Sequence, residues 1–228
     1  MQTFPFKLID LTHTLSPSIP TWNGDCGFKH DITFDYDPTC YVQFRTHTIN
    51  MNEGIGTHID APAHCFKNAT TIDQLPLDNL LAPCIVIDVA SSAHETFTLS
   101  VNDIQSFEHV HGNIPARHVV IIKTGWEKFW DSPEKYHNNH RFPSISIEAA
   151  HLLLDRDILG LGIDTLSPDR GDTDFPVHRA LLKANIYILE NVANLNTLPP
   201  TGSFILALPI KIKDGTEAPV RLVALVNR

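Results

Sequence analysis

The chain has 228 residues, 43% of them hydrophobic, which is enough for one sizeable core and favours one domain over two. Its 17 basic and 26 acidic residues give a formal net charge of −9. This charge argues against nucleic acid or an anionic membrane as the main partner, because both require a basic surface. The four cysteines are widely spaced and predict free thiols. With no secretory signal and no apolar run long enough to span a bilayer, the sequence predicts a cytoplasmic protein.

Short β-branched runs recur along the chain, most of them bounded by Gly, Pro, Asp or Asn, and they predict strands. In chain order they are KLIDL, YVQFRTHTI, CIVIDV, HVVIIKT, ILGLGID, IYILE, FILAL and VRLVALV. Three segments predict helices: a weaker one in SVNDIQSF after Leu99, one in SIEAAHLLLDRD capped by Ser146, and one in PVHRALLKA opened by Pro176. This mixture of many strands and few helices predicts an α/β fold forming a single domain over residues 1–228.

Two long polar segments separate these elements, SPSIPTWNGDCGF near the start and KTGWEKFWDSPEKYHNNHRFPS in the middle of the chain. Loops of this length are more often functional than idle. They carry Trp22, Phe28, Trp126 and Trp130, which are candidates for the wall of an apolar pocket. Each of these aromatic side chains has the alternative role of covering the sheet.

The segment NEGIGTHIDAPAH places two imidazoles and a carboxylate within seven positions, at His58, Asp60 and His64. In an extended segment His58 and Asp60 point to the same side, because strand side chains alternate. An imidazole and a carboxylate on one side can chelate a cation. Pro62 stops any helix and His64 follows after a fixed turn, so His64 is expected beside the pair without having to belong to it. Taken alone, the short pattern is more typical of a polar turn than of a metal site.

A second polar cluster lies in FPVHRALLKANIYILEN. His178 falls in the first turn of a predicted helix, and Glu190 ends an otherwise apolar strand. An acid in this position is costly unless it is paired or bound to a metal ion. Asp164 likewise ends the strand before it, and strand ends are where α/β sheets usually place their sites.

Together these segments resemble the Putative cyclase family, which contains bacterial kynurenine formamidases and isatin hydrolases. The similar pieces occur in the family's order and span nearly the whole chain. They are IDLTHTLS (residues 9–16), GTHIDAPAH (56–64), KTGWEKFW (123–130), GIDTLSPD (162–169), FPVHRALL (175–182), ILENVANL (188–195) and APVR (218–221).

The resemblance implies a swivelling β/β/α cyclase-like fold with a mixed sheet and few helices, assembled as a homo-oligomer, either a dimer or a tetramer. It implies a divalent-metal hydrolase, using Zn²⁺ or Mn²⁺, that cleaves a C–N bond in a small aromatic amide. By motif position, His58, Asp60, His178 and Glu190 match metal ligands and His64 matches the catalytic histidine. The implied activity is that of an arylformamidase acting on N-formylkynurenine in tryptophan catabolism. The alternative is an isatin-hydrolase-type cyclic amidase.

One position departs from the family pattern, which usually has another metal-ligating histidine four residues before His58. This chain has Gly54 there. Three explanations stay open: a smaller metal set with one tightly held ion, a replacement ligand from a neighbour such as Asn52, Glu53 or His47, or a pseudoenzyme that binds a metal or ligand without turnover.

Overall fold

The computed structural model describes residues 4–228, so the first three residues of the N-terminal segment searched for a signal lie outside it. The strands are β1 (Phe6–Asp10), β2 (Phe28–Phe34), β3 (Thr46–Met51), β4 (His58–Asp60), β5 (Leu81–Asp88), β6 (Thr98–Leu99), β7 (Val119–Lys123), β8 (Ser144–Ile145), β9 (Gly160–Ile163), β10 (Tyr187–Glu190), β11 (Ser203–Pro209) and β12 (Glu217–Asn227). The α-helices are α1 (Val101–His111), α2 (Pro133–His137), α3 (Ile147–Asp155) and α4 (Pro176–Lys183). Within the described residues, no helix combines the length and apolar character needed to cross a membrane.

An eight-stranded mixed sheet organises the fold, in the order β1-β12-β11-β5-β7-β9-β10-β4. Strands β5, β7, β9 and β10 run parallel to their neighbours in this series, whereas β1, β11, β12 and β4 form antiparallel pairs. The short strand β4 pairs with β10 on one edge and with β12 on the other. This double pairing closes the sheet into a barrel-like ring, which confirms the predicted α/β class with a mixed sheet and few helices.

The central strands are buried on both faces, as their continuous apolar sequences predict. The side chains on one face of these strands, including Ile59, Ile121 and Leu189, pack into a core cluster enclosed by the ring. The alternate series, including Val120 and Ile122, packs against the helices on the other side. This alternation follows from the two-residue period of a strand.

All three predicted helices are present, and the caps explain where they begin. The hydroxyl of Ser100 accepts a hydrogen bond from the Asp103 N–H, and that of Ser146 accepts one from the Ala149 N–H. The structure differs from the sequence prediction in these elements: helix α2 and strands β2, β6 and β8 are additional, and YVQFRTHTI becomes a strand only from Thr46. Helix α2 has five residues, too few to show helical periodicity, and β2 is mostly exposed and polar.

The pairing of β4 sets up the functional end of the barrel. On one edge His58 lies opposite Glu190 of β10. On the other edge Asp60 lies opposite Glu217, the first residue of β12. Directly opposed residues of antiparallel strands have neighbouring side chains. The register therefore brings four polar side chains from three distant parts of the sequence to one place.

Candidate metal centre and active site

Strand β4 presents His58 and Asp60 on one side and Ile59 on the other, as the alternation of strand side chains requires. Ile59 is fully buried in the apolar core, which fixes the orientation of the strand. His58 and Asp60 are 4% and 1% exposed, so both polar groups are withdrawn from bulk water. The two side chains lie on one side of the strand, as their spacing predicts, with His58 Nε2 3.4 Å from Asp60 Oδ1.

The other two predicted ligands come to the same place from separate elements. His178 lies in the first turn of α4 and Glu190 ends β10. The Nε2 atom of His178 lies 3.2 Å from Glu190 Oε1 and 3.5 Å from Asp60 Oδ2, and the Nε2 atom of His58 lies 3.3 Å from Glu190 Oε2. Two ligands of one tetrahedral zinc ion are about 3.4 Å apart when each metal–ligand bond is about 2.1 Å. Asp60, His178 and Glu190 therefore have the separations that a shared cation requires, and His58 lies against the other oxygens of the same two carboxylates.

The carboxylate oxygens in this cluster lack hydrogen-bond donors. Both oxygens of Asp60 and Oε1 of Glu190 are buried and receive no hydrogen bond from the described residues. Buried carboxylate oxygens in native proteins are nearly always satisfied by hydrogen bonds or metal ions. Their chemistry therefore fits a divalent cation.

Both histidines are anchored through Nδ1, which leaves Nε2 directed at the carboxylates. The Nδ1 atom of His58 lies 2.8 Å from the Gly56 carbonyl oxygen, and that of His178 lies 2.8 Å from Asp169 Oδ2. An Nδ1–H that donates to such an acceptor fixes the tautomer whose Nε2 lone pair binds metal.

Asp169, which ends the GIDTLSPD segment, has a supporting role that no local sequence pattern predicted. Its Oδ1 accepts a hydrogen bond from the Val177 N–H at 3.1 Å, and its Oδ2 accepts one from the His178 N–H at 2.9 Å. Asp169 thus caps the N-terminus of α4 and orients the His178 ring at the same time. Asp164, the other acid in that segment, instead accepts hydrogen bonds from the Thr124 N–H and hydroxyl, outside the ligand cluster.

The electrostatics of the cluster demand positive charge. Burial opposes protonation of His58, yet the neighbouring carboxylates of Glu190 and Asp60 raise its pKa to about 10. Burial likewise opposes protonation of His178, but hydrogen bonding to Asp169 and the nearby carboxylates raise its pKa well above the ordinary value. Burial and the charge of Glu190 raise the pKa of Asp60. Imidazolium protons or a divalent cation can supply the missing positive charge, and binding of a metal ion releases such protons.

The predicted catalytic histidine lies beside this cluster. His64 belongs to a 3₁₀ turn after β4, opened by Pro62, and 34% of its side chain is exposed. Its Nδ1 lies 3.2 Å from Glu217 Oε2, and its ring centre lies 5.9 Å from that of His178. Hydrogen bonding to Glu217 raises the pKa of His64, and burial opposes this rise. His64 is therefore placed next to the ligands and reachable from solvent.

A cavity of about 500 Å³ leads to these groups. Trp22, Phe66, Phe175 and Leu166 form its apolar wall. Of the four aromatic residues predicted from the sequence, only Trp22 lies in this wall, and Trp130 instead stacks on the His13 ring.

Phe28 and Trp126 do not line this cavity. Phe28 packs against Ile19 and Ile55, and the Trp126 ring is buried beside Tyr136, to whose carbonyl oxygen its Nε1–H donates. Both rings therefore fill the protein interior and do not line this cavity, whose aromatic wall is formed by Trp22, Phe66 and Phe175.

The three neighbours considered as replacements for a side chain at position 54 lie away from the cavity. His47 is exposed on β3, where its ring centre lies 4.1 Å from that of His30. Asn52 is exposed. Glu53 Oε2 accepts hydrogen bonds from the backbone N–H groups of Thr216 and Glu217. Glu217, which no sequence argument singled out, lies in the cavity wall beside Gly54.

The closed mixed sheet places this chain among α/β proteins. Its buried carboxylates lack hydrogen-bond donors and face two anchored imidazoles, which is typical of a metal centre. Residues 9–170 match the model of the family described as "Putative cyclase". The chain is 33% identical to the isatin hydrolase of Roseibium aggregatum over 97% of this chain and 92% of that protein. It is 30% identical to the kynurenine formamidase of Salinibacter ruber, over 95% and 96% respectively.

The same relationship is visible in the fold. The structure of isatin hydrolase A from Ralstonia solanacearum superposes with a TM-score of 0.87 at 32% identity, covering 97% of this chain and 92% of that one. The chain belongs to the Putative cyclase family, and its relatives named here are hydrolases.

The role of Asp169 generates a prediction about metal affinity. Asp169→Asn replaces one acceptor oxygen by an NH₂ group, which cannot accept from both His178 and the helix N-terminus. We expect metal affinity to fall by about 10–100-fold, the loss typical when the partner of a metal-binding histidine is removed. Calorimetric titration of metal-stripped protein with Zn²⁺ measures the change. Asp172→Asn, an exposed acid of the same loop, is the matched control. Unchanged affinity in Asp169→Asn would show that the hydrogen bond does not support the site.

Proposed function

We propose that the protein is a metal-dependent hydrolase that cleaves the C–N bond of an amide in a small aromatic substrate, as an arylformamidase does with N-formylkynurenine. The observation that carries this proposal is the position of His64, which lies beside a buried ligand cluster at the end of an aromatic cavity. The names of the relatives, isatin hydrolase and kynurenine formamidase, support the same class of reaction.

Asp60, His178, Glu190 and His58 are the side chains that would hold the cation. When bound, a divalent ion lowers the pKa of water and polarises the carbonyl of the scissile bond. Nitrogen and carboxylate oxygen ligands without sulfur suit Zn²⁺ or Mn²⁺.

His64 is proposed to move the proton that hydrolysis requires. The hydrogen bond from its Nδ1–H to Glu217 Oε2 leaves the Nε2 lone pair free. This nitrogen takes a proton from the attacking water and returns it to the leaving nitrogen as the C–N bond breaks. The products are then an aromatic amine and formate. An imidazole suits both directions because its reference pKa of about 6.5 lies near the working pH.

The wall of the cavity supports a substrate that is both aromatic and charged. Trp22, Phe66 and Phe175 provide aromatic surface. Asp174 and Arg179 stand in the same wall, so the rim carries one negative and one positive side chain. N-formylkynurenine has an aryl formamide together with the ammonium and carboxylate of an amino acid, and these charges match the pair.

The second candidate is hydrolysis of the cyclic amide isatin. It is favoured by the 33% identity to an isatin hydrolase and by the TM-score of 0.87 with the structure of another. The same His64 would protonate the ring nitrogen as the ring opens. Isatin carries no ammonium or carboxylate, so it would make no use of Asp174 and Arg179.

If His64 transfers protons and Asp60 binds the metal ion, alanine variants of the two residues should behave differently. His64→Ala should keep the metal ion and lose rate by about 10²–10⁴-fold, the usual value of acid–base assistance. Asp60→Ala should lose both metal and rate, as should wild-type protein treated exhaustively with a chelator. Metal content by mass spectrometry and turnover of N-formylkynurenine measure these effects. Equal metal loss in the two variants would assign His64 as a ligand, and full turnover without metal would refute the mechanism.

The charged rim predicts which substrate is used. Arg179→Gln should raise the KM for N-formylkynurenine by about tenfold, since a charge-assisted contact contributes about 1.5 kcal/mol or more. The KM for formanilide, an uncharged aryl formamide, should be unchanged in the same variant. Steady-state kinetics on both compounds and on isatin make the comparison. If wild-type protein prefers isatin and Arg179→Gln alters neither KM, the cyclic amidase is the function.

Assembly and location stay predictions from the sequence. We propose a homo-oligomer, a dimer or a tetramer, in the cytoplasm, with no nucleic acid or membrane partner, and the net charge of −9 supports the last point.

A further inference from the structure

Glu217 occupies a position between the ligand cluster and the catalytic histidine. It begins β12 directly opposite Asp60 and is 22% exposed at its side chain. Its Oε1 lies 3.8 Å from His58 Nε2, and its Oε2 lies 3.2 Å from His64 Nδ1. The two oxygens of one carboxylate therefore face two different groups of the site.

The carboxylate of Glu217 fills the space above Gly54. A Cβ atom at position 54 would overlap Glu217 Oε1 and lie 2.8 Å from its Cδ. The backbone of Gly54 is not in the left-handed region, so its conformation does not itself demand glycine. A side chain at position 54 would therefore require the Glu217 carboxylate to move from its present position.

The backbone that carries Glu217 is held in place by Glu53. Glu53 Oε2 accepts a hydrogen bond from the Thr216 N–H at 3.0 Å and one from the Glu217 N–H at 3.4 Å. The next residue but one, Pro219, pairs with His58 across the strands. The Glu217 side chain therefore projects from a fixed strand end, which is the support a ligand needs.

Asp60 and Glu190 each direct their two carboxylate oxygens at two different histidines. Asp60 Oδ1 lies 3.4 Å from His58 Nε2, whereas Asp60 Oδ2 lies 3.5 Å from His178 Nε2. Glu190 divides its oxygens between the same two histidines. Both oxygens of Asp60 are buried without a hydrogen-bond donor. Each oxygen therefore faces its own imidazole, with an unmet need for positive charge on both sides.

We propose that Glu217 is a metal ligand that completes a second cation position with His58 and Asp60, so that the chain holds two divalent ions sharing Asp60. Suitable ligand atoms of His58, Asp60 and Glu217 lie within 4.8 Å of one another, as do those of Asp60, His178 and Glu190. The inference rests on the proposed function, since it concerns the same metal-dependent site. It replaces the single ion expected from the sequence, where Gly54 left a ligand missing, and it removes the reason for a pseudoenzyme.

The number of bound ions tests this proposal directly. Metal-stripped protein is titrated with Mn²⁺ or Zn²⁺ by calorimetry, and the ions retained after gel filtration are counted by mass spectrometry. Wild-type protein should bind two ions per chain. Glu217→Gln, which preserves shape and removes charge, should keep one and bind the other at least about 10–100-fold more weakly, the loss that follows removal of even an outer partner. Glu148→Gln, an exposed acid on α3, is the matched control.

A second experiment exchanges the side chains at positions 54 and 217. Gly54→His alone should displace the Glu217 carboxylate, because a Cβ atom at position 54 overlaps its Oε1. Gly54→His combined with Glu217→Ala opens that space to an imidazole and should restore the second ion relative to Glu217→Ala alone. Thermal melting establishes that each variant is folded. If the double variant does not fold, the ion count of Glu217→Gln decides.

Two results would overturn the proposal. One is a wild-type chain with a single ion. The other is a Glu217→Gln variant that still binds two ions with unchanged affinity, in which case Glu217 only orients His64 and its loss lowers the rate alone. Either result is compatible with the proposed hydrolase function. A chain that binds no ion at all would refute that function.

Discussion

The pairing of β4 with β10 on one edge and with β12 on the other is the constraint on which the site depends. Three residues long, β4 closes the barrel and places His58 opposite Glu190 and Asp60 opposite Glu217. The three carboxylates repel one another, so they do not bring these strands together. Ile59, fully buried between the two polar residues, anchors β4 in the apolar core and holds the charged groups against that repulsion.

Closure of the sheet concentrates negative charge where water is excluded, and this arrangement links folding to the cation. Buried carboxylates without donors are costly, and an ion that binds only the folded chain offsets that cost. Asp169 and the Gly56 carbonyl then fix the histidine rings from behind. The outcome is a preorganised ligand set at the end of an aromatic cavity, with His64 close enough to move protons.

Local rules made part of this architecture predictable from the sequence. Strand alternation placed His58 and Asp60 on one side, and the cap at Ser146 and the proline at position 176 marked the starts of α3 and α4. The mixture of predicted strands and helices indicated the fold class. An acid at the end of an apolar strand singled out Glu190, and the family resemblance matched His178 and Glu190 to metal ligands. Glu217 was not predictable, because its role depends on the pairing of β12 with β4, which a single sequence does not reveal. Phe28 and Trp126 show a similar limit: their apolar character predicts burial but not which surface they cover.

Anomalous X-ray diffraction from crystals of the metal-loaded protein, recorded at the absorption edge of the bound metal, tests the central claim most directly. The account predicts two anomalous peaks at the open end of the barrel, one among Asp60, His178 and Glu190 and the other among His58, Asp60 and Glu217. A single peak, or no peak at Asp60, in crystals whose metal content has been verified would contradict it.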